Sequence, residues 1–398
     1  MRVDLFFPAF PPAFDGIGDY TAHLANTLSG RHDVRVWTSR SADAPEPASP
    51  PSEAEVRAIP ALTETAGLAH WVSQCSAAPP DWLVIQYNPF SYGTRGYAPA
   101  LAPAIKEAKR RSPSMKVAVT VHEPFMPPDS LRFMIMSIWQ RRQFKQIGEL
   151  ADQLIFTIPP WVERFASWFP NTPCAHVPVG SNMPRVAVTK QEARTHIGLP
   201  DERCVLGLFG RARSSRLFGH IRAGLRTLER AGHRPLLVYI GGGAEVIRTA
   251  FADHRVRCTG ALPGDQVSRH LSALDVYLAP YHKGVSTRRG AFLAGMQHAL
   301  PVLTTHGPQT DDLLAHAAGR AFCAVPVDDA EAFAETLRSM VESPARQHQL
   351  GRNARSFYLS HFTWPVIAAQ YSDVLQMHTP ASNPALSLSP NLHPWSIA

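Results

Sequence analysis

The chain has 398 residues, a length that favours two domains over a single hydrophobic core. Its composition, 45% hydrophobic and 18% charged, is that of an ordinary globular protein and excludes a disordered or fibrous chain. The formal net charge of +7 favours anionic partners such as phosphorylated substrates. No block of five or more basic residues and no nucleic-acid-binding motif occurs, so we predict no nucleic-acid partner.

The strand and helix patterns alternate along both halves of the chain. The predicted strands of the first half are RVDLFF, DVRVWT, WLVIQY, KVAVTV and QLIFTI, and its predicted helices are 17–30, 62–78, 98–112 and 129–150. The predicted strands of the second half are CVLGLF, PLLVYIG, VRCTG, DVYLAP and PVLTT, and its predicted helices are 215–232, 263–273, 288–299 and 329–342. Such alternation predicts an α/β fold with two doubly wound parallel sheets and a ligand in the cleft between them.

Three segments interrupt this alternation. The segment VPVGSNMPRVAVTK has little periodicity and places the domain boundary near 180–190. Residues 41–55 predict a solvated loop, and residues 379–398 predict a disordered tail.

The cysteines and the N-terminus indicate the cellular compartment. The five cysteines are odd in number and form no C-x-x-C pair, so they predict neither a zinc site nor disulfides. Reduced thiols fit a cytoplasmic protein best. The N-terminal residues do not resemble a signal peptide, and no long apolar run predicts a membrane-spanning helix.

Six segments, in this order and spacing, resemble those of the retaining glycosyltransferases of GT-B fold, in particular family 4. They are PAFDGIGDYTAHLANTL, VTVHEPF, VPVGSN, LFGRARSSR, the run from VYIGGGAE to DVYLAPY, and FTWPVIAAQYSDVLQM. The resemblance covers about residues 1–378. It implies a Rossmann-like acceptor-binding domain of residues 1–183 with a returning C-terminal helix, 362–378, and a Rossmann-like nucleotide-sugar-binding domain of residues 184–361.

The first candidate site follows the first strand. Gly16 and Gly18 precede a helix that we expect to be capped near Asp19 or Thr21, and glycines let the backbone approach an anion at a helix N-terminus. The resemblance implies donor binding by these glycines, and the alternative is a tight turn between strand and helix that needs a positive φ. Asp15 and Asp19 either bind an acceptor hydroxyl or cap the helix.

The second candidate site lies at the end of the predicted strand KVAVTV. The family's histidine at the position of His122 contacts and orients the donor sugar, which a neutral imidazole can do through hydrogen bonds. The alternative is a buried histidine bonded to backbone. Glu123 is a candidate for binding an acceptor hydroxyl.

The third candidate site is a group of arginines after CVLGLF. Arg211 matches an arginine of the family, and Arg216 is the cation nearest to the family's lysine, although the spacing is loose. Guanidinium groups bind phosphate bidentately, so both are predicted to bind the donor and to stabilise the leaving diphosphate. The alternative is a solvated basic turn, and the role of Arg213 stays open.

The fourth candidate site precedes the predicted helix 288–299. Ser286 or Thr287 is expected to cap this helix and to contact the donor. Arg288 and Arg289 place two cations where the helix dipole disfavours them, and a bound anion would resolve that conflict. The E-x7-E pattern of the family aligns with Ser286 and Ala294, so both of its glutamates are absent.

Residues 129–147 combine a dense apolar run with Arg141, Arg142 and Lys145. We favour a core helix of the first domain with a solvated far end, because the apolar residues exceed one helical face. The alternative is a membrane-surface helix.

The sequence therefore predicts a glycosyltransferase that moves a sugar from a nucleotide-diphosphate donor to a hydroxyl acceptor. The resemblance implies retention, and the lack of a well-placed carboxylate nucleophile favours a front-face route. We expect neither a metal nor a cofactor. The alternatives are a non-catalytic partner subunit of the same fold, or a same-fold sugar-nucleotide epimerase or phosphorylase.

Overall fold

The computed structural model of the chain describes residues 1–40, 54–199, 204–211 and 216–377. In these residues the chain forms two parallel β-sheets flanked by helices. The predicted tail 379–398, most of the predicted loop 41–55, and Arg213 lie outside these residues. Of that loop, Glu55 instead begins a strand. The predicted α/β class with two doubly wound parallel sheets is confirmed.

The first sheet has seven strands in the order β3-β2-β1-β4-β5-β6-β7. Its strands are β1 Arg2–Phe6, β2 Asp33–Arg40, β3 Glu55–Pro60, β4 Trp82–Tyr87, β5 Lys116–Val121, β6 Gln153–Phe156 and β7 Cys174–His176. The helices that accompany it are α1 Gly16–Ser29, α2 Thr65–Ala77, α3 Pro89–Tyr92, α4 Leu101–Arg111, α5 Leu131–Leu150 and α6 Pro159–Ala166.

The second sheet has six strands in the order β10-β9-β8-β11-β12-β13. Its strands are β8 Val205–Phe209, β9 Leu236–Ile240, β10 Val256–Cys258, β11 Val276–Ala279, β12 Val302–His306 and β13 Cys323–Pro326. Its helices and the C-terminal helices are α7 Lys190–His196, α8 Phe218–Arg230, α9 Ala244–Ala250, α10 Gly264–Ser272, α11 Gly290–Gln297, α12 Asp312–Ala317, α13 Ala330–Val341, α14 Pro344–His361 and α15 Trp364–Gln376.

The strands that the sequence did not predict lie at the edges of the sheets. They are β3, β7 and β13, which pair on one side only among the described residues. In β3 a single residue, Ile59, is buried, so its hydrophobic signal is weak. The strands with the clearest signal are central, and all six residues of β4 are buried.

The strand order fixes where a ligand can bind. In each sheet the direction of winding reverses once, between β1 and β4 in the first sheet and between β8 and β11 in the second. The connections that leave the carboxyl ends of these strands diverge and leave a crevice. Residues 7–15, 210–211 and 280–289 lie in such connections, and residues 122–130 follow β5, the strand next to β4.

The last helix, α15, packs on α1 of the first sheet. The hydroxyl of Tyr371 lies 2.9 Å from those of Tyr20 and Thr120. The indole Nε1 of Trp364 donates to the carbonyl oxygen of Ser181 at 3.0 Å. The chain thus returns to the first sheet after completing the second, while the residue boundaries of the two domains stay a prediction.

The N-terminal half of α5 is not the core helix that we favoured from the sequence. Leu131, Met134, Ile135 and Ile138 are all exposed, and the buried residues of this half are few and include Met136. No element among the described residues covers this face. Separately, no helix in the described part of the chain is long and apolar enough to span a membrane.

Candidate functional site

Two adjoining cavities open between the sheets. The first, of about 410 Å³, is lined by residues that include Gly16, Asp19, Tyr20, Asn88, His122, Asn182, Phe209, Gly210, Gly290 and Ala291. The second, of about 870 Å³, is lined by residues that include Phe125, Met126, Phe133, Trp161, Arg164, His282 and Lys283. Glu123, Arg288 and Arg289 line both cavities and separate them. Six of the twelve predicted site residues therefore line these cavities: Gly16, Asp19, His122, Glu123, Arg288 and Arg289.

The start of α1 differs from the prediction. The helix begins at Gly16, and its N-cap is Asp15, whose Oδ1 accepts from the backbone N–H groups of Ile17 and Gly18 at 2.8 and 2.9 Å. Asp15 therefore caps the helix, in place of Asp19 or Thr21. Gly16 lines the first cavity, but Gly18 does not. Gly18 is needed for packing, since a Cβ there would lie 2.8 Å from the carbonyl oxygen of Ala9.

Asp19 lies in the first turn of α1 and lines the first cavity. Burial, together with the nearby charge of Asp15, raises the pKa of the Asp19 carboxyl from 3.8 to about 6. The carboxyl can therefore exchange a proton near neutral pH. Its position suits the predicted contact with an acceptor hydroxyl, which stays a prediction.

His122 follows β5 and lines the first cavity. Its Nε2 lies 2.8 Å from Oε1 of the buried Gln86, and its ring packs edge-on against Tyr20 with centroids 4.9 Å apart. Burial, with the charge of Arg288, lowers the pKa of His122 to about 3, so the imidazole is neutral. When Nε2–H donates to Gln86, Nδ1 remains as an acceptor for a ligand hydroxyl.

Arg288 crosses from the second sheet domain to the first. Its Nη1 donates to Oε2 of Glu123 at 2.7 Å and to the carbonyl oxygen of His122 at 3.3 Å. Its guanidinium lies 4.7 Å from the ring centroid of Trp161, and its buried Nε has no hydrogen-bond partner among the described residues. The side chain thus fixes Glu123 and keeps one donor free.

Arg289 and Arg216 lie against the same aromatic ring. Each guanidinium carbon is 4.5 Å from the ring centroid of Tyr281. The Nη2 of Arg216 donates to the carbonyl oxygen of Phe209 at 2.7 Å. Nη1 of Arg216 and Nε of Arg289 are buried and have no hydrogen-bond partner among the described residues. Burial, with repulsion from Arg288 next, lowers the pKa of Arg289 from 12.5 to about 10.

Arg288, Arg289 and Arg216 form what we call the arginine cluster. Within the described residues its only carboxylate partner is Glu123, which binds Arg288. Gly210, which lines the first cavity beside Arg216, has a φ of +106° that favours glycine. An anion is the ligand whose charge and acceptor oxygens match these free N–H groups.

Arg211 does not join the arginine cluster. It is exposed, follows Gly210 at the end of a described stretch, and lines neither cavity. The structure therefore gives it no contact with the cleft, and its predicted donor and catalytic roles stay predictions.

Ser286 and Thr287 do not occupy the predicted positions. Helix α11 begins at Gly290 with Arg289 as its N-cap residue, so neither hydroxyl caps it. Both side chains are fully buried and line neither cavity. The Thr287 hydroxyl donates to the carbonyl oxygen of Thr157 at 3.0 Å, and the Thr287 carbonyl accepts from the N–H of Val179. The predicted cap role of these residues is therefore wrong, because the segment is used to join the two sheets, while their predicted donor contacts stay a prediction.

Several residues at the site were not predicted from the sequence. Gln86 binds His122, Tyr281 stacks on two arginines, and the amide of Asn182 donates to the carbonyl oxygen of Gly16 at 2.8 Å. A glutamine inside the buried strand WLVIQY was a visible signal for a functional contact. Tyr281 and Asn182 carried no comparable signal, because only the fold brings them to the cleft.

Comparison with known proteins agrees with this architecture. Residues 205–343 match the sequence profile of the family described as Glycosyl transferases group 1. A search of curated protein sequences finds no match.

Solved structures cover nearly the whole chain at low sequence identity. A sucrose-phosphate synthase from Thermosynechococcus elongatus aligns with a TM-score of 0.70 and 19% identity over 95% of this chain and 98% of that chain. HepE from Anabaena, in complex with UDP and glucose, aligns with a TM-score of 0.69 and 12% identity over 95% of this chain and 100% of that chain. WaaG, a glycosyltransferase involved in lipopolysaccharide biosynthesis, aligns with a TM-score of 0.66 and 18% identity over 94% of this chain and 99% of that chain. The chain therefore has the GT-B fold, and its residues 205–343 resemble the group 1 glycosyl transferases in sequence.

Proposed function

We propose that the protein is a glycosyltransferase that moves a sugar from a nucleoside diphosphate donor to a hydroxyl-bearing acceptor. The observation that carries this proposal is the arginine cluster, whose unpaired N–H groups lie at the carboxyl edge of the second sheet beside the cavity. The first residues of α11, Gly290 and Ala291, line the same cavity and add the positive end of a helix dipole. The group 1 match of this domain and the UDP complex of HepE support the same assignment.

The arginine cluster suits the leaving group of such a reaction. When the bond from the anomeric carbon to the phosphate oxygen breaks, negative charge develops on the diphosphate. Fixed guanidinium groups in a partly buried site stabilise that charge more strongly than water does. This role needs no metal ion, and we propose metal-independent transfer without a cofactor.

The first sheet supplies the polar groups on the opposite side of the cavity. His122, neutral and held by Gln86, would orient a donor-sugar hydroxyl through Nδ1. Asp19 would accept the hydrogen bond of the attacking acceptor hydroxyl. Glu123, paired with Arg288, would bind a further acceptor hydroxyl with its free lone pairs.

We propose retention through a front-face route. Among the described residues, the carboxylates that line the first cavity are Asp19 and Glu123, and the ion pair with Arg288 makes Glu123 a weak nucleophile. In the front-face route the acceptor oxygen bonds to the anomeric carbon on the side that the diphosphate leaves. The departing phosphate oxygen takes the acceptor proton, so no protein nucleophile is required.

The Asp19→Asn variant should lose the acidic limb of the pH–rate profile. With a pKa of about 6, Asp19 is protonated below that pH and no longer accepts from the acceptor hydroxyl, so wild-type kcat/KM should fall as the pH drops through 6. The variant should be slower at pH 7 and nearly flat between pH 5 and 7. We would measure release of the nucleoside diphosphate under donor-saturated conditions.

The same variant should be more stable at neutral pH. Because the pKa of Asp19 is raised in the folded state, its contribution to stability is present below pH 4 and is lost as the pH rises through 6. Removing the charge should therefore raise the free energy of unfolding at pH 7 by about 1 kcal/mol, a value that allows for solvent screening. An Asp312→Asn control, at an exposed position in α12, should change neither quantity. An unchanged pH profile in Asp19→Asn would remove Asp19 from the mechanism.

A nucleoside diphosphate panel tests the proposal directly. UDP, GDP, ADP and dTDP, each compared with its monophosphate, should be added to the protein during thermal unfolding. A ligand at 100 times its Kd stabilises the folded state by about 2.7 kcal/mol, so one diphosphate should raise Tm clearly more than its monophosphate. Stabilisation by none of them would contradict the proposed donor site.

That negative result would favour a second candidate, a non-catalytic partner subunit of the same fold. Its supporting observation is that Ser286 and Ala294, aligned with the two glutamates of the family pattern, are fully buried and present no group to the cavity. A same-fold epimerase or phosphorylase is distinguished by turnover of the donor when no hydroxyl acceptor is present.

A further inference from the structure

The exposed hydrophobic side chains of this protein are concentrated in one region. In the described residues ten large hydrophobic side chains are exposed, and seven of them lie in three segments of the first sheet domain. They are Phe14, Phe90, Tyr97, Leu131, Met134, Ile135 and Ile138, which we call the apolar face. Single exposed hydrophobic residues are ordinary, but a concentration of seven indicates an interaction surface.

The topology places these three segments at one edge of the sheet. They follow the carboxyl ends of β1, β4 and β5, which are neighbours in the strand order. On α5, Leu131, Met134, Ile135 and Ile138 have the i, i+3, i+4, i+7 spacing of a single helical face. The second cavity lies beside this edge, since Pro127, Pro128 and Phe133 line it.

Aromatic and basic residues border the apolar face. Trp139 packs edge-on against Tyr97 with centroids 6.4 Å apart, and its Nε1 donates to the carbonyl oxygen of Arg95 at 3.3 Å. Residues 8–15, 88–99 and 126–149 contain five cations, Arg95, Arg132, Arg141, Arg142 and Lys145, and three carboxylates, Asp15, Asp129 and Glu149. Glu149 lies 3.9 Å from Lys145, and the segments keep an excess of two cations. Amphipathic aromatic rings beside an apolar helix face and a basic border are typical of a surface that lies in a membrane interface.

We propose that the apolar face docks on the surface of an anionic lipid bilayer. The hydrophobic side chains would enter the boundary between headgroups and acyl chains, and the border of cations would contact the anionic headgroups. A second copy of this chain is a poorer occupant, because it would bring the same excess of cations against this one. The tail of residues 378–398 contains no carboxylate side chain to complement these charges. This proposal does not depend on the proposed sugar transfer.

Vesicle sedimentation of the full chain tests this surface. We expect the wild type to pellet with vesicles of phosphatidylcholine and phosphatidylglycerol, and less with phosphatidylcholine alone or in high salt. Leu131→Asp/Ile138→Asp should lower the partition coefficient at least about tenfold, because two charges would have to enter the apolar boundary. Arg132→Gln/Arg142→Gln should lower it about fivefold for each cation removed, and only for anionic vesicles.

A matched control uses exposed hydrophobic residues away from the apolar face. Val246→Asp/Leu359→Asp changes residues on α9 and α14 that are about as exposed as Met134 and Ile135 of the apolar face, and it should bind vesicles like the wild type. Stabilisation by the nucleoside diphosphate, measured on every variant, shows whether the fold and the donor site remain intact. Its absence in the wild type would count against the proposed donor site and not against the apolar face, whereas its loss in one variant alone would mark that variant as disturbed.

Four outcomes would overturn the proposal. The first is no binding of the wild type to either kind of vesicle. The second is equal binding by wild type and Leu131→Asp/Ile138→Asp. The third is a wild-type dimer in sedimentation equilibrium that this double variant converts to a monomer without any vesicle binding, which would assign the face to a second copy. The fourth is vesicle binding that appears only after deletion of residues 378–398, which would assign the face to the tail.

Discussion

Replacing Arg289 by methionine should make the ligand-free protein more stable and should weaken its binding of a nucleoside diphosphate. Without a ligand, Arg289 is a largely desolvated cation close to Arg288 and Arg216, and its lowered pKa reports that the fold disfavours its charge. Methionine keeps much of the apolar stem that packs on Tyr281 and removes the charge. We expect a gain of about 1 kcal/mol in the free energy of unfolding.

The same substitution removes a charge-assisted hydrogen bond to the diphosphate. Such a bond contributes about 1.5–3 kcal/mol, so Kd should rise roughly tenfold to 100-fold. Isothermal titration of the diphosphate identified by the panel would measure Kd, and thermal unfolding without ligand would measure stability. Arg352→Met, at an exposed arginine of α14, should change neither Kd nor Tm appreciably.

The opposite signs of the two effects make this prediction specific. If Arg289 were purely structural, its replacement would lower the stability of the protein and would leave the Kd of the diphosphate almost unchanged. If Arg289→Met destabilises the ligand-free protein and binds the diphosphate like the wild type, the arginine cluster is structural and the proposed donor site is wrong.

Replacing Arg35 by methionine should cost about 3–5 kcal/mol of stability. Asp4 on β1 and Arg35 on β2 form an ion pair whose side chains are 0% and 4% exposed. The Asp4 carboxylate also accepts from Nε1 of Trp37 at 2.6 Å, and Arg35 donates to the carbonyl oxygen of Ala78 at 2.8 Å. Removing the guanidinium leaves a carboxylate buried without its counter-ion, and that uncompensated charge accounts for the large cost.

A double variant distinguishes the buried charge from lost packing. Asp4→Asn/Arg35→Met keeps an acceptor for Trp37 and leaves no buried charge, so it should be clearly more stable than Arg35→Met alone. Urea unfolding followed by circular dichroism would give the free energies. Arg110→Ala breaks an exposed ion pair with Glu107 and should cost less than about 1 kcal/mol. A cost that small for Arg35→Met would show that the pair is dispensable.

The sequence by itself determined the fold class and much of the site's position. The central strands were readable because parallel strands buried on both faces form short apolar runs, as in β4 and β5. Since ligand sites follow the carboxyl ends of such strands, the sequence also placed His122, Glu123, Arg288 and Arg289 near a cleft. Three of the four edge strands, β3, β7 and β13, were missed because a half-covered strand carries a weak hydrophobic pattern.

The tertiary structure decided which of the candidate side chains face the cleft. Ser286 and Thr287 have the residue types of a helix cap, yet the contact between the two sheets buries them and leaves Arg289 as the N-cap residue. Tyr281 joins Arg216 to Arg289, which are 73 positions apart in the chain, so no local pattern could reveal the arginine cluster. The exposed face of α5 could likewise not be predicted. The sequence periodicity shows which residues share one face of a helix, but only the packing of the whole domain shows which face remains uncovered.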